Sequence, residues 1–232
     1  MKELIKKRKE GFDHLINNIE RISYENSIFN YKYGRKAFLS LGQGNIHEWL
    51  EKLLPNTRLI LEPKIIGTSI ALQYIDGKLN KVINEISRDI TEDVMALKIV
   101  PNSLPINKRI ELRGVIYVNE NTCAKKNKTD ISEIVQCRNG KKRINFCAFQ
   151  IFHCQINQFQ ALNELKNLNF EIPQTQFTTF ISDIEIYRQC WKQGKLFNSY
   201  PTCGIVLKIN SRKFQKYLGE NNQSIHWAYA LN

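Results

Sequence analysis

Two apolar runs meet at a lysine. Leu59-Ile60-Leu61-Glu62-Pro63-Lys64-Ile65 is followed, after Ile66-Gly67, by Thr68-Ser69-Ile70-Ala71-Leu72-Gln73-Tyr74, and Asp76-Gly77 then leads into Lys78-Leu79-Asn80-Lys81-Val82-Ile83. Short runs rich in Ile, Leu and Val and bounded by Gly are strands, and Asp-Gly between two of them is a strong hairpin signal. This stretch commits the chain to antiparallel sheet. It also sets a primary amine at a tight corner between two strands, where partial desolvation would lower its pKa and free its lone pair for attack. Alone, Lys64 is more simply a surface lysine beside a turn; the remaining segments change that balance.

The rest of the chain alternates helices with strands. Residues 3–22 carry Leu4, Ile5, Phe12, Leu15, Ile16 and Ile19 at helical spacing. Asn45 is an expected N-cap with Glu48 at capping-box distance, and Pro55 ends that helix. Strands are expected at 58–65, 68–75, 78–87, 109–118, 144–156, 203–209 and 224–231, with helices at 91–97, 160–167 and 182–193 and a lysine-rich loop at 119–130. Hairpins dominate and helices lie between them. The fold class is therefore α+β, antiparallel β-sheets flanked by helices. The chain divides into an N-terminal helical segment, 1–32, and one larger domain, 33–232.

Charge narrows the partners. The 232 residues include 34 Lys and Arg against 22 Asp and Glu, a formal net charge of +12. Such an excess favours polyanions: nucleic acid, phosphate-bearing ligands or an acidic surface. The six cysteines, at 123, 137, 147, 154, 190 and 203, form no Cys-x-x-Cys pair, and no His stands at zinc-finger spacing. They are expected to be reduced, in a cytoplasmic protein. No stretch is long enough to span a bilayer, and the basic N-terminus lacks the apolar segment of a signal peptide.

Several segments, taken in order, resemble the adenylation (nucleotidyltransferase) domain of NAD-dependent DNA ligases over about residues 33 to 232. Lys64-Ile65-Ile66-Gly67, preceded by Glu62, resembles the family's Lys-x-Asp-Gly nucleophile motif; Leu39-Ser40-Leu41 resembles its Leu-Ser-Leu segment. Ser87-Arg88-Asp89 stands where the family has an arginine after its first hairpin. Glu111-Leu112-Arg113-Gly114 resembles the Arg-Gly-Glu strand, and Cys137-Arg138-Asn139 the Pro-Arg-Asn segment. Asn145-Phe146-Cys147-Ala148-Phe149 resembles the strand with the adenine-stacking aromatic, and Cys203-Gly204-Ile205-Val206-Leu207-Lys208 resembles Asp-Gly-Val-Val-Ile-Lys. The segment Asp76-Gly77-Lys78-Leu79-Asn80-Lys81 is similar to one in the second, shorter ligase of enteric bacteria.

The resemblance implies a nucleotide cleft between sheets and an enzyme that forms a lysyl-AMP intermediate on the way to sealing nicks in duplex DNA. Lys64 would be the nucleophile, Glu62 and Phe149 the adenine readers, Leu39, Ser40 and Leu41 a wall against the adenosine, and Arg88, Arg113, Arg138 and Lys208 the other donor-binding residues. NAD is the implied donor, with ATP as the alternative; magnesium can assist such transfers; a monomer is expected. The chain departs from the family at four positions, with Ile66, Val115 and Cys203 in place of carboxylates and Asn232 in place of the last motif's lysine. Those departures leave open a catalytically impaired relative that binds nucleotide or nucleic acid, and an ATP-using or RNA-directed member of the same superfamily. The family's NMN-binding module is not recognisable in residues 1–32, and no OB-fold is recognisable within the 232 residues.

Overall fold

The structure is a computed structural model that describes residues 13–23, 25–30, 38–118 and 144–232. Residues 13–18 form helix α1. Helices α2 (Ile46–Leu50), α3 (Thr91–Leu97), α4 (Gln158–Asn167), α5 (Ile181–Lys192) and α6 (Arg212–Leu218) follow. The nine strands are β1 (Ser40–Gly42), β2 (Leu59–Ile65), β3 (Thr68–Ile75), β4 (Lys78–Asn84), β5 (Ile110–Val118), β6 (Ile144–Ile151), β7 (Gln176–Thr178), β8 (Thr202–Ile209) and β9 (Ser224–Leu231).

Two sheets result. One has the order β1-β9-β8-β2-β7, the other β4-β3-β5-β6. Every strand pair is antiparallel except β1 with β9. The Asp76-Gly77 turn joins β3 to β4 as expected, with both residues at positive φ.

The corner after Lys64 differs from the expectation of adjacent hairpin strands. β2 pairs with β7 and β8, and β3 pairs with β4 and β5, so Ile66-Gly67 is where the chain crosses from one sheet to the other. The Ile66 N–H donates to the Pro201 carbonyl at 2.7 Å and ties the crossing to the start of β8. A Cβ on Gly67 would lie 2.1 Å from the Ile116 carbonyl oxygen, so the two backbones approach this closely only because the residue is glycine.

Side-chain alternation along the strands builds three layers. Leu59, Leu61, Leu207 and Ile209 turn into a core shared with Trp49 of α2 and Ile184 of α5. Ile70, Leu72, Leu112 and Ile116 turn into a second core, closed by Leu162 and Leu165 of α4 and by Leu15 and Ile19 of the N-terminal segment. The opposite faces look at each other: Glu62, Lys64 and Lys208 from the first sheet, Arg113, Val115, Cys147 and Phe149 from the second.

Some elements were shorter than expected or were missed. The strand expected at 144–156 ends at Ile151, because a turn with His153 at φ 53° carries the chain toward α4. β7 and α6 were not foreseen; three residues carry little periodicity, and Arg212-Lys213-Phe214-Gln215-Lys216 resembles a solvated loop by composition. Of the helix expected at 3–22, residues 3–12 lie outside the described residues and the described part is helical only to residue 18; the loop at 119–130 and Arg138 also lie outside the described residues.

Candidate nucleotide-binding cleft

The facing layers enclose a cavity of about 580 Å³, within the range of sites that take nucleotide-sized ligands. Lys64 lines it from the end of β2, where its Nζ donates to the Asn232 side-chain oxygen at 3.0 Å. Asn232 is brought there by β9. Gly204, at φ 151°, lets the strand end approach so closely that a Cβ would lie 2.4 Å from the Leu231 carbonyl oxygen. Arg188 of α5 then donates to the Asn232 carbonyl through Nε at 2.8 Å and Nη2 at 2.6 Å.

Deeper in, Glu62 is 2% exposed and Lys208 4%, and Lys208 Nζ lies 2.7 Å from Glu62 Oε2. Ile60 opposes Lys208 and Glu62 opposes Val206 in the β2–β8 register, which makes the two charged side chains diagonal neighbours on the cleft face. Lys208 also donates to the Phe149 carbonyl at 3.2 Å and stands 4.9 Å from the centre of the Phe149 ring. A cation pressed on that ring polarises it and holds its orientation.

Arg113 closes the other side. Its guanidinium is 5.5 Å from the centre of the Phe38 ring and 5.4 Å from that of Phe149, and Nη1 donates to the Leu39 carbonyl at 3.5 Å. Burial pushes its pKa down to about 10, against the opposing pull of Glu85, so it remains a cation near neutral pH. Its Nε is buried without a hydrogen-bond partner. The Cys147 thiol, buried among the aromatic and aliphatic groups of the same wall, is pushed well above its usual range by that burial.

The expected site residues thus divide. Lys64, Glu62, Arg113, Phe149, Lys208 and Leu41 line one cavity. Leu39 touches the site through its carbonyl while its side chain is buried in the first core, and Ser40 is exposed. Arg88 is a correction: it sits exposed on the tight turn after β4, where its N–H donates to Asn84 Oδ1 at 2.9 Å, and it does not line the cavity. The residue of that turn that does line it is Glu85. Trp227 lines the cavity and Gln158 bonds to Glu62 without either having been expected there; Trp227 stands in a segment read only as strand, and Gln158 just before the helix expected at 160–167. Among the described residues, no three His, Cys, Asp or Glu side chains come together in a group that could hold a metal ion. No helix among them is long and apolar enough to cross a membrane.

Residues 42–143 match the family model of the NAD-dependent DNA ligase adenylation domain. The chain is 27% identical to a DNA ligase of Prochlorococcus marinus over 96% of its own length and 38% of the relative's. It is 28% identical to a DNA ligase of Petrotoga mobilis over 96% of its length and 36% of the relative's. The chain resembles the adenylation domain of NAD-dependent DNA ligases. It spans well under half the length of those relatives. Among solved structures, Pmar-Lig_PreS3 superposes over 91% of this chain and 51% of its own, with a TM-score of 0.51 at 11% identity. The two-sheet α+β architecture is shared with that structure, and in this chain the cleft lies between the sheets.

Proposed function

We propose that this chain is an adenylating nucleotidyltransferase that takes AMP from NAD onto Lys64, the first step of sealing a nick in duplex DNA. One observation carries the reading: the Lys64 amine lies on the wall of a 580 Å³ cavity that also gathers an aromatic face, a buried carboxylate and two cations. The adenylation domain is residues 33–232 in this reading. Phe149 stacks on the adenine and Glu62 accepts from its amino group. Leu41 and the neighbouring Leu39-Ser40 backbone support the adenosine.

The transfer itself is mostly positioning and neutralisation of phosphate charge. The lysine nitrogen forms a bond to the α-phosphorus as the amine gives up a proton. The bond to the bridging oxygen breaks, and NMN leaves with that oxygen. Arg113 and Lys208 supply positive charge, and Arg138 is a further candidate. The described residues do not fit a protein-held magnesium ion, since Ile66, Val115 and Cys203 stand where the family has carboxylates.

The test is incubation of the full chain with NAD and, separately, with ATP, followed by intact mass and peptide mapping. An added AMP on Lys64 with NAD, absent in Lys64→Ala, supports the reading; an adduct with ATP alone moves the protein to the ATP-using members. A second reading, a relative that binds nucleotide or nucleic acid without transfer, is favoured by the amide of Asn232 standing at the Lys64 amine in place of a cation. It predicts nucleotide or DNA binding that survives Lys64→Ala, with no adduct from either donor, and DNA affinity that falls steeply as salt rises.

A further inference from the structure

Glu62 of the first sheet and Phe149 of the second are joined by a residue that belongs to neither. Gln158 opens α4 and is 5% exposed. Its backbone is fixed from below: its N–H donates to the Asn210 carbonyl at 2.9 Å, and the next N–H, of Phe159, donates to Asn210 Oδ1 at 3.1 Å. The N–H of Arg212 returns the contact by donating to Asn157 Oδ1 at 3.1 Å. With its start so anchored, the helix delivers one side-chain amide to Glu62 and Phe149, two residues that line the cavity, without lining it itself. Gln158 Nε2 donates to Glu62 Oε1 at 3.2 Å and to the Phe149 carbonyl at 2.9 Å.

Lys208 makes the parallel pair of contacts, to the other oxygen of Glu62 and to the same Phe149 carbonyl. Each carboxylate oxygen therefore receives one donor. A carboxylate gripped in this way is a fixed acceptor, and because Glu62 lines the cavity its remaining lone pairs are available to a ligand. An acceptor at that place takes an N–H from a 6-aminopurine and repels the 6-oxygen of a 6-oxopurine. Lys208 has a second demand on it, since in the proposed reaction it turns toward phosphate. Gln158 has none, and it alone then holds Glu62 in register with the Phe149 ring.

The geometry points to Gln158 as a positioning residue that sets the preference of the cleft for adenine over guanine. This rests on the nucleotide reading above. Gln158→Glu places a second carboxylate against Glu62, and the pair shares a proton and can donate as well as accept, which admits a 6-oxopurine. Gln158→Met keeps the bulk and removes the donor. Titration of AMP and of GMP into the full chain by calorimetry gives the ratio of the two dissociation constants for the wild type and both variants. The expected result is a preference for AMP in the wild type that falls about tenfold in both variants, the scale of one lost hydrogen bond to a charged group. A merely structural role would weaken both nucleotides together. An unchanged ratio in variants that still bind overturns the role of Gln158 alone; a wild type that binds neither nucleotide overturns the nucleotide reading and this inference with it.

Discussion

Lys208 Nζ lies 2.7 Å from Glu62 Oε2 across adjacent strands, with both side chains almost wholly buried. Two charges taken out of water are held there by each other, by Gln158 and by the Phe149 carbonyl. Removing one partner leaves the other charge buried and uncompensated, whereas replacing both with apolar groups of similar size does not. Lys208→Met is expected to destabilise the fold by about 3–5 kcal/mol in urea unfolding. The double variant Lys208→Met, Glu62→Leu is expected to recover most of that loss. Equal destabilisation in the single and double variants would show that the pair is not coupled in the folded state.

Gly67 makes a separate claim on the fold. Its missing Cβ leaves room for the Ile116 carbonyl 2.1 Å from where it would stand and for Val115 Cγ2 at 2.8 Å. Neither neighbour can retreat, because both lie in β5, the strand paired with β3. Gly67→Ala is expected to cost about 3 kcal/mol or more, as overpacking against backbone does. Gly194→Ala is the control. That glycine has φ 68° but nothing within 4 Å of its Cβ position, and a non-glycine residue there costs about 1 kcal/mol.

Much of this architecture was legible in the chain because its strands announce themselves. Thr91–Leu97 and Ser224–Leu231 fall where their patterns put them, since each has a clear period and clear flanks. What periodicity could not show is which strands share a sheet. β2 and β3 are two residues apart in sequence and in different sheets, and only the Gly67 contact, a tertiary fact, explains why. The site divides in the same way. Lys64, Glu62, Phe149 and Lys208 were identified from motif order, and the fold gathers them. Arg88 had motif order too, yet its turn faces outward. Gln158 had no signal, because a helix-opening glutamine says nothing about where its amide will land.

His153 gives the fold a pH dependence of known sign. Burial is the largest influence on its imidazole and lowers its pKa below the ordinary 6.5, with Glu111 pulling the other way. The unfolded chain then holds the proton more tightly than the folded one. Between the depressed folded value and 6.5 the unfolded state carries more protons, so stability falls as pH drops through that window and is fully present above it. His153→Asn keeps a residue that tolerates the local φ of 53°. Its stability, followed by thermal unfolding from pH 7.5 to 5, is expected to decline less steeply than that of the wild type. An identical slope would remove His153 as the source.

The contact between Lys64 and Asn232 yields a rate prediction for the proposed reaction. Lys64 Nζ donates to an amide oxygen at 3.0 Å, at the position where the resembling family carries a lysine. An amide oxygen accepts from the lysine nitrogen but brings no positive charge to the α-phosphate. A second ammonium at that place would stabilise charge developing there in the transfer. Asn232→Lys is therefore expected to raise the rate of Lys64 modification by NAD about tenfold. Stopped incubations of wild type and variant, read by intact mass, measure the two rates. An unchanged rate would mean that Asn232 does not stand at the reacting centre.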